Sequence, residues 1–283
     1  SAAAETGAEG AQFLPAERGF LAALEDSRRP AVASLRHQNF VRTEVADFAN
    51  PATREWALGL LERSRDSAAG EALLARSAVA DLPALEALVS NAIGLGHSWS
   101  ERRGSTRAAV LDSVAEVFAE WRGLLAEVAV SESGFRIEDA DDDVTIAIQL
   151  AVNAARTARE LDSIAGATYI PPRLVVVVSP RSCAVPTLAG TVLAALAAGS
   201  AVIIKTAPET RRSAAVFIET LIAGGVPSGL VTVLDSQDDQ DSQDGLAEAL
   251  ICDERVDRVL HVGSRHTAKL FHSWRAEMAL SST

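Results

Sequence analysis

Two residue types are scarce enough in this chain that every copy raises a chemical question. Cysteine occurs at Cys183 and Cys252, and lysine only at Lys205 and Lys269, although the chain carries 26 basic residues. Cys183 stands two residues after Arg181 and ahead of a Gly/Ala-rich stretch that reads as a helix; a nearby cation and a helix N-terminus both lower a thiol pKa. An inert small apolar residue is the competing reading of that position. Cys252 precedes Asp253 and Glu254, a poor electrostatic setting for a thiolate. Lys205 closes the apolar run AVIIK, which places an ammonium at a sheet edge where it can hydrogen-bond a ribose or a phosphate. Gly263-Ser264-Arg265-His266-Thr267 follows another apolar run and opens a helix whose free N–H groups suit a pyrophosphate. There is no Gly-x-Gly-x-x-Gly fingerprint, so an ordinary Rossmann dinucleotide site has no support from that motif.

Metal chemistry is not expected. His37, His97, His261, His266 and His272 show no ligand spacing with carboxylates on one face. The acidic run Glu138 to Asp143 lacks the glycine and distal glutamate of a calcium loop, and reads as the favourable negative charge of a helix's first turn. A second acidic stretch, Asp235 to Asp244, would repel a pyrophosphate and reads as a solvated connection.

These residues need a scaffold, and residues 166–283 supply a pattern for one. Leu174 to Val178, Ala201 to Lys205, Leu230 to Leu234 and Asp257 to Val262 are short apolar runs. They are separated by the helical stretches Gly190 to Ala198, Ser213 to Ala223 and Gly245 to Ile251. Runs without polar alternation imply strands buried on both faces, and helical crossovers make the sheet parallel. Ligands bind such sheets beyond the carboxyl ends of the strands. That rule directs attention to Ser179–Cys183, Lys205–Arg212, Asp235–Asp244 and Gly263–Thr267. Residues 38–165 read as helical. A helix follows the Asn50-Pro51 turn, another is capped by Asp81, and a long amphipathic one covers Thr106 to Val130. One more, after the acidic run, uses Ile146, Ile148, Leu150, Val152 and Leu161 as its apolar members. Residues 1–37 read as an N-terminal extension with a possible short helix after Pro15.

Composition narrows the class. With 26 Lys plus Arg against 38 Asp plus Glu, the chain carries a formal charge of −12, which argues against a nucleic-acid binder, whose affinity rests mostly on phosphate neutralisation by a basic face. No membrane span or basic-then-apolar leader is present, and two cysteines make no disulfide framework; a reducing cytoplasmic setting is expected.

Taken together, the ordered blocks ELDSIAGATYIPPR, LVVVVSP, AGTVLAALAAGSAVIIKTAPETRR, AGGVPSGLVTVL and VDRVLHVGSRHTAKLF resemble the cofactor domain of the aldehyde dehydrogenase superfamily. The texture looks most like the pyrroline-5-carboxylate (glutamate-semialdehyde) dehydrogenase half of actinobacterial proline utilisation A. The resemblance implies an α/β fold, an aldehyde-dehydrogenase-type Rossmann-like parallel sheet with an N-terminal helical region, and a catalytic domain expected beyond residue 283. It implies NAD, with NADP as the alternative. It places Val178, Ser179, Pro180, Arg181 and Ser182 along the nicotinamide approach, Lys205 at the adenosine ribose, Gly263 and Ser264 at the pyrophosphate, and an oligomerisation hairpin near Tyr169. A small aldehyde would be a substrate only together with the catalytic domain. A homo-oligomer or a covalently linked proline dehydrogenase is the expected partner, with no nucleic acid and no membrane.

The departures from the family are specific. Its Pro-Trp-Asn-Phe-Pro appears as Pro180-Arg181-Ser182-Cys183-Ala184, so Ser182 takes the place of the oxyanion-binding asparagine. Its Phe-Thr-Gly-Ser appears as His261-Val262-Gly263-Ser264, and its general-base glutamate aligns near Thr283. Two readings therefore stand: the nucleotide-binding portion of such an enzyme, inactive alone for want of the cysteine nucleophile, or a degenerate module kept for oligomerisation or partner scaffolding. A sensor that holds the dinucleotide without turnover is a third.

Overall fold

Four short apolar runs become four strands of one parallel sheet. They are β1 Leu174–Val178, β2 Ala201–Lys205, β3 Val231–Leu234 and β4 Arg258–His261, in the order β3-β2-β1-β4. The computed structural model describes residues 47–166, 169–182, 184–235 and 240–281. The sheet is in parallel register throughout: Val178 lies beside Lys205 on one side and His261 on the other, and Lys205 lies beside Leu234. Crossover helices make this arrangement: α7 Ala184–Ala198 joins β1 to β2, α8 Arg211–Ala223 joins β2 to β3, and α9 Gln240–Ile251 joins β3 to β4. α10 Arg265–Ser281 follows β4.

Burial on both faces holds for β1 and for β2 as far as Ile204, which carry the centre of the core. It fails at β4, where exposure alternates along the strand, because β4 is an edge and only one of its faces is packed. The opposite edge is covered. The Val79 N–H donates to the Asp235 carbonyl at 2.8 Å, and Ala78 forms a parallel bridge with Asp235, so a piece of the helical region pairs with the end of β3. Covering an edge this way removes a row of unpaired backbone groups.

The helical region contains α1 Pro51–Ser64, α2 Glu71–Ser77, α3 Leu82–Ser100, α4 Gly104–Glu120, α5 Arg122–Ser133 and α6 Ile137–Leu161. Asn50 caps α1 and Asp81 caps α3, each accepting a backbone N–H at 2.9 Å, as their residue types predict. The single helix expected over 106–130 is two, broken at Trp121 (φ −90°, ψ 14°). The break lets Arg122 form a bidentate pair with the buried Asp141 of α6 and reach the Thr145 hydroxyl at 2.8 Å, a demand invisible to local periodicity. The apolar face expected on α6 also differs. Ile148 is buried as expected, but Ile146 and Val152 are exposed, and the rest of the buried face is mostly alanine: Ala147, Ala151, Ala154, Ala155 and Ala158. Small side chains there let α4 approach closely, and Gly104 packs so tightly on the Ala158 carbonyl that no Cβ fits. Trp99 of α3 donates its indole N–H to Leu196 O at 2.8 Å, tying this layer to the helix beneath β1.

Between α6 and β1 the described residues contain no strand, and residues 167 and 168, beside Tyr169, lie outside the described set; Ile170 is largely exposed. The short helix expected after Pro15 lies outside the described residues.

Candidate nucleotide site

Strand order alone selects one place. The chain runs outward from β1 through β2 to β3, then returns to pair β4 with the other side of β1, so the connections diverge between β1 and β4. A crevice opens at the carboxyl ends at such a reversal. Val178, Lys205 and His261 end their three strands in register there. The ladder continues one step further on each side, with Ser179 N donating to Lys205 O at 3.1 Å and Val262 N to Val178 O at 3.2 Å. Val178, Ser179 and Lys205 are thus brought together with the loop that carries Gly263 and Ser264.

The loop after β1 is tied toward β2. The Arg181 guanidinium pairs with Glu209 at 2.6 Å, and the Thr210 hydroxyl donates to Pro180 O at 3.4 Å. Arg181 remains 79% exposed, so the pair fixes a loop direction more than it stabilises the fold, as exposed ion pairs contribute about 0–1 kcal/mol. Ser182 is exposed. Ser179 is buried, and its hydroxyl is without a hydrogen-bond partner among the described residues. Cys183 lies outside the described residues, as does Thr283. Cys252 is half-buried just after α9, at the amino edge of the sheet and remote from the crevice.

Two described helices begin after strands at this edge with a known first turn or cap, α8 and α10. That of α8 is already filled: Glu132 of α5 accepts Arg212 N at 2.7 Å, and Ser213 N and Oγ at 2.8 Å each. An anionic ligand would have to displace a carboxylate there. α10 instead is capped by an uncharged residue, Ser264, whose hydroxyl accepts Thr267 N at 3.1 Å, and Gly263 and Ser264 are exposed. The positive end of the helix dipole at α10 therefore remains open to a phosphate.

Both arginines after β2 are engaged. Arg211 donates to Asp235 at 2.6 Å, and Arg212 donates to Ser131 Oγ at 2.9 Å and to the Ser67 carbonyl. Asp235 corrects the expectation of a solvated acidic loop: it is buried and paired, and residues 240–244 belong to α9. Residues 236–239 lie outside the described set. Among the described residues no group of histidine, cysteine, aspartate or glutamate is arranged to hold a metal, and no helix is long and apolar enough to cross a membrane. Sequence reasoning missed Glu132, because nothing local links residue 132 to residue 212. It also missed the Asp235 pairing, for which the only signal was a carboxylate directly after a buried strand.

Comparison with known proteins places this architecture. The aldehyde dehydrogenase family profile matches residues 64–281. The bifunctional protein PutA of Klebsiella aerogenes is 28% identical over 236 residues, covering 83% of this chain and 16% of that protein. The 1-pyrroline-5-carboxylate dehydrogenase of Anoxybacillus flavithermus is 31% identical over 146 residues, covering 48% of this chain and 28% of that enzyme. The solved structure of proline utilization A from Corynebacterium freiburgense superposes with a TM-score of 0.71 at 29% identity, over 84% of this chain and 23% of that one. The chain thus spans less than a third of the length of these relatives. With a family match over most of its residues and a parallel sheet of matching architecture, the chain belongs to the aldehyde dehydrogenase family.

Proposed function

We propose that this chain is the nicotinamide-dinucleotide-binding part of an aldehyde dehydrogenase acting on L-glutamate γ-semialdehyde, the open form of pyrroline-5-carboxylate. The observation that carries the reading is the meeting of Lys205, the Val178–Ser182 segment and Gly263–Ser264 at the carboxyl ends of three adjacent strands, at the reversal of the sheet. The residues fit such a ligand: an ammonium at the ribose position, an open helix N-terminus for the pyrophosphate, and an orphaned buried hydroxyl on Ser179. The dinucleotide, when bound, supplies the hydride acceptor.

Each group of the chain has a bounded task in this reading. Lys205 holds a ribose hydroxyl, the first turn of α10 meets the pyrophosphate through Gly263 and Ser264, and Val178, Ser179, Pro180 and Arg181 border the nicotinamide. Arg211 and Arg212 are both committed to partners within the chain, which leaves Lys205 as the cation after β2 to meet either the ribose hydroxyl of NAD or the 2′-phosphate of NADP. In the whole protein this part would work with a cysteine-bearing catalytic domain, and with a linked proline dehydrogenase if it follows its bifunctional relatives, in a cytoplasmic setting.

A second reading, a degenerate non-catalytic module, draws on one observation. At the family's Trp-Asn positions stand Arg181, paired with Glu209, and Ser182, exposed. Loss of an oxyanion donor costs about 10²- to 10³-fold in rate. Calorimetric titration of the chain with NAD and NADP, beside Lys205→Ala, separates the two. Saturable NAD binding that weakens in the variant supports the first reading; a folded chain that binds neither nucleotide at millimolar concentration leaves the module.

A further inference from the structure

His261 ends β4 beside Val178, in the crevice where the sheet reverses. Its ring folds back over the loop leading into α10. Nε2 lies 3.2 Å from the carbonyl oxygen of Ser264, and a Cβ placed on Gly263 would stand 2.6 Å from the imidazole Cε1. A carbonyl oxygen only accepts, so in this contact the imidazole carries its proton on Nε2. Nδ1 is buried and has no hydrogen-bond partner among the described residues. That agrees with the same tautomer, since a proton there would be a buried donor with nothing to receive it. Phe271 meets the imidazole edge-on at 5.3 Å and itself packs at a tilt against Trp274, with ring centroids 5.4 Å apart.

Ser264, whose carbonyl His261 holds, is also the cap of α10: its hydroxyl accepts Thr267 N at 3.1 Å and lies 2.9 Å from the Thr267 hydroxyl. One imidazole therefore fixes the residue that sets the first turn of the helix.

We infer that His261 is a positioning residue for the pyrophosphate, holding the Gly263-Ser264 loop in the conformation that presents the N-terminus of α10 to the crevice. The inference rests on the nucleotide reading given above. Gly263 is part of the same device, because only a residue without a side chain leaves the ring its place.

The test is NAD titration of the whole chain and two variants, each with its melting temperature measured. His261→Phe keeps the aromatic packing on Phe271 and removes the donor; affinity should fall about three- to ten-fold, the effect of one hydrogen bond. His261→Gln returns an amide N–H near the position of Nε2 and should bind close to the unaltered chain. Equal affinity of His261→Phe and the unaltered chain overturns the inference, as does an equal loss in the Phe and Gln variants, which would make shape the cause. A folded, unaltered chain that binds no NAD overturns the nucleotide reading itself, and the positioning role with it. That outcome is distinct from binding that is merely indifferent to residue 261.

Discussion

The carboxylate of Glu132 closes the N-terminus of α8, with one oxygen 2.7 Å from Arg212 N and the other 2.8 Å from Ser213 N. A residue of the helical region thus neutralises the one first turn at the carboxyl edge that stands behind Lys205. The consequence reaches the site, because a phosphate is directed to α10 instead. The same contact joins the end of α5 to α8, a crossover helix of the sheet, so the helical region and the nucleotide platform share a stabilising group.

Replacing Glu132 by alanine leaves two backbone donors and the Ser213 hydroxyl without their acceptor. Stability should fall by about 1–3 kcal/mol, the range for losing a helix cap or a buried hydrogen-bond partner. Urea denaturation of Glu132→Ala against the unaltered chain measures it, and Glu132→Gln should lose less.

Gly104 is fixed by sterics. A Cβ at this position would run into the backbone carbonyl of Ala158, which cannot rotate away, and would sit 2.8 Å from Asp162 Oδ1. Gly104→Ala should destabilise by about 1–3 kcal/mol despite alanine's better helix propensity, as overpacking does. Thermal denaturation gives the sign directly.

Asp162 accepts Gly104 N at 2.6 Å and Ser105 N at 2.8 Å, closing the first turn of α4. The Ser105 and Gly104 N–H groups hold its carboxyl below the ordinary aspartate value. A depressed pKa contributes stability above the unfolded value, lost as pH falls through the folded one. Asp162→Asn should therefore lower the melting temperature at pH 7, and the gap should close as the pH drops below about 4.

Asp143 shows the opposite sign. Burial, then the charges of Asp139 and Asp142, push its carboxyl up to about 6. The folded state holds this proton more tightly than the unfolded chain, so ionisation weakens folding as pH rises from the ordinary aspartate value through about 6. Asp143→Asn should raise the melting temperature at pH 7.5, with the gain shrinking by pH 4.

Much of this was legible in the sequence where local pattern and global fold agree. β1 and β2 were bounded to the residue by their unbroken apolar runs, Asp81 announced the helix start it caps, and the Asn50-Pro51 turn marked where α1 begins. Lys205 was picked out by scarcity and by its place at a strand end. The interior of the helical region was not legible, because its contacts join distant residues. Trp121 breaks a periodic helix so that Arg122 can meet Asp141, and the buried face of α6 keeps Ile148 but is otherwise mostly alanine, because close spacing between helices favours small side chains there. Asp235 looked solvated in a run of aspartates, but it is the first residue past a buried strand and inherits that burial.

The central claim is that a nicotinamide dinucleotide binds at the carboxyl edge, where β1, β2 and β4 end. Amide chemical-shift mapping of the ¹⁵N-labelled chain during NAD addition tests it most directly. The account predicts saturable shifts gathered at Ser179, Arg181, Ser182, Lys205, Thr206 and Gly263 to Thr267, with Gly199, Cys252 and Val256 at the amino edge unmoved. Shifts centred on the amino edge, or none in a folded chain at millimolar NAD, would contradict it.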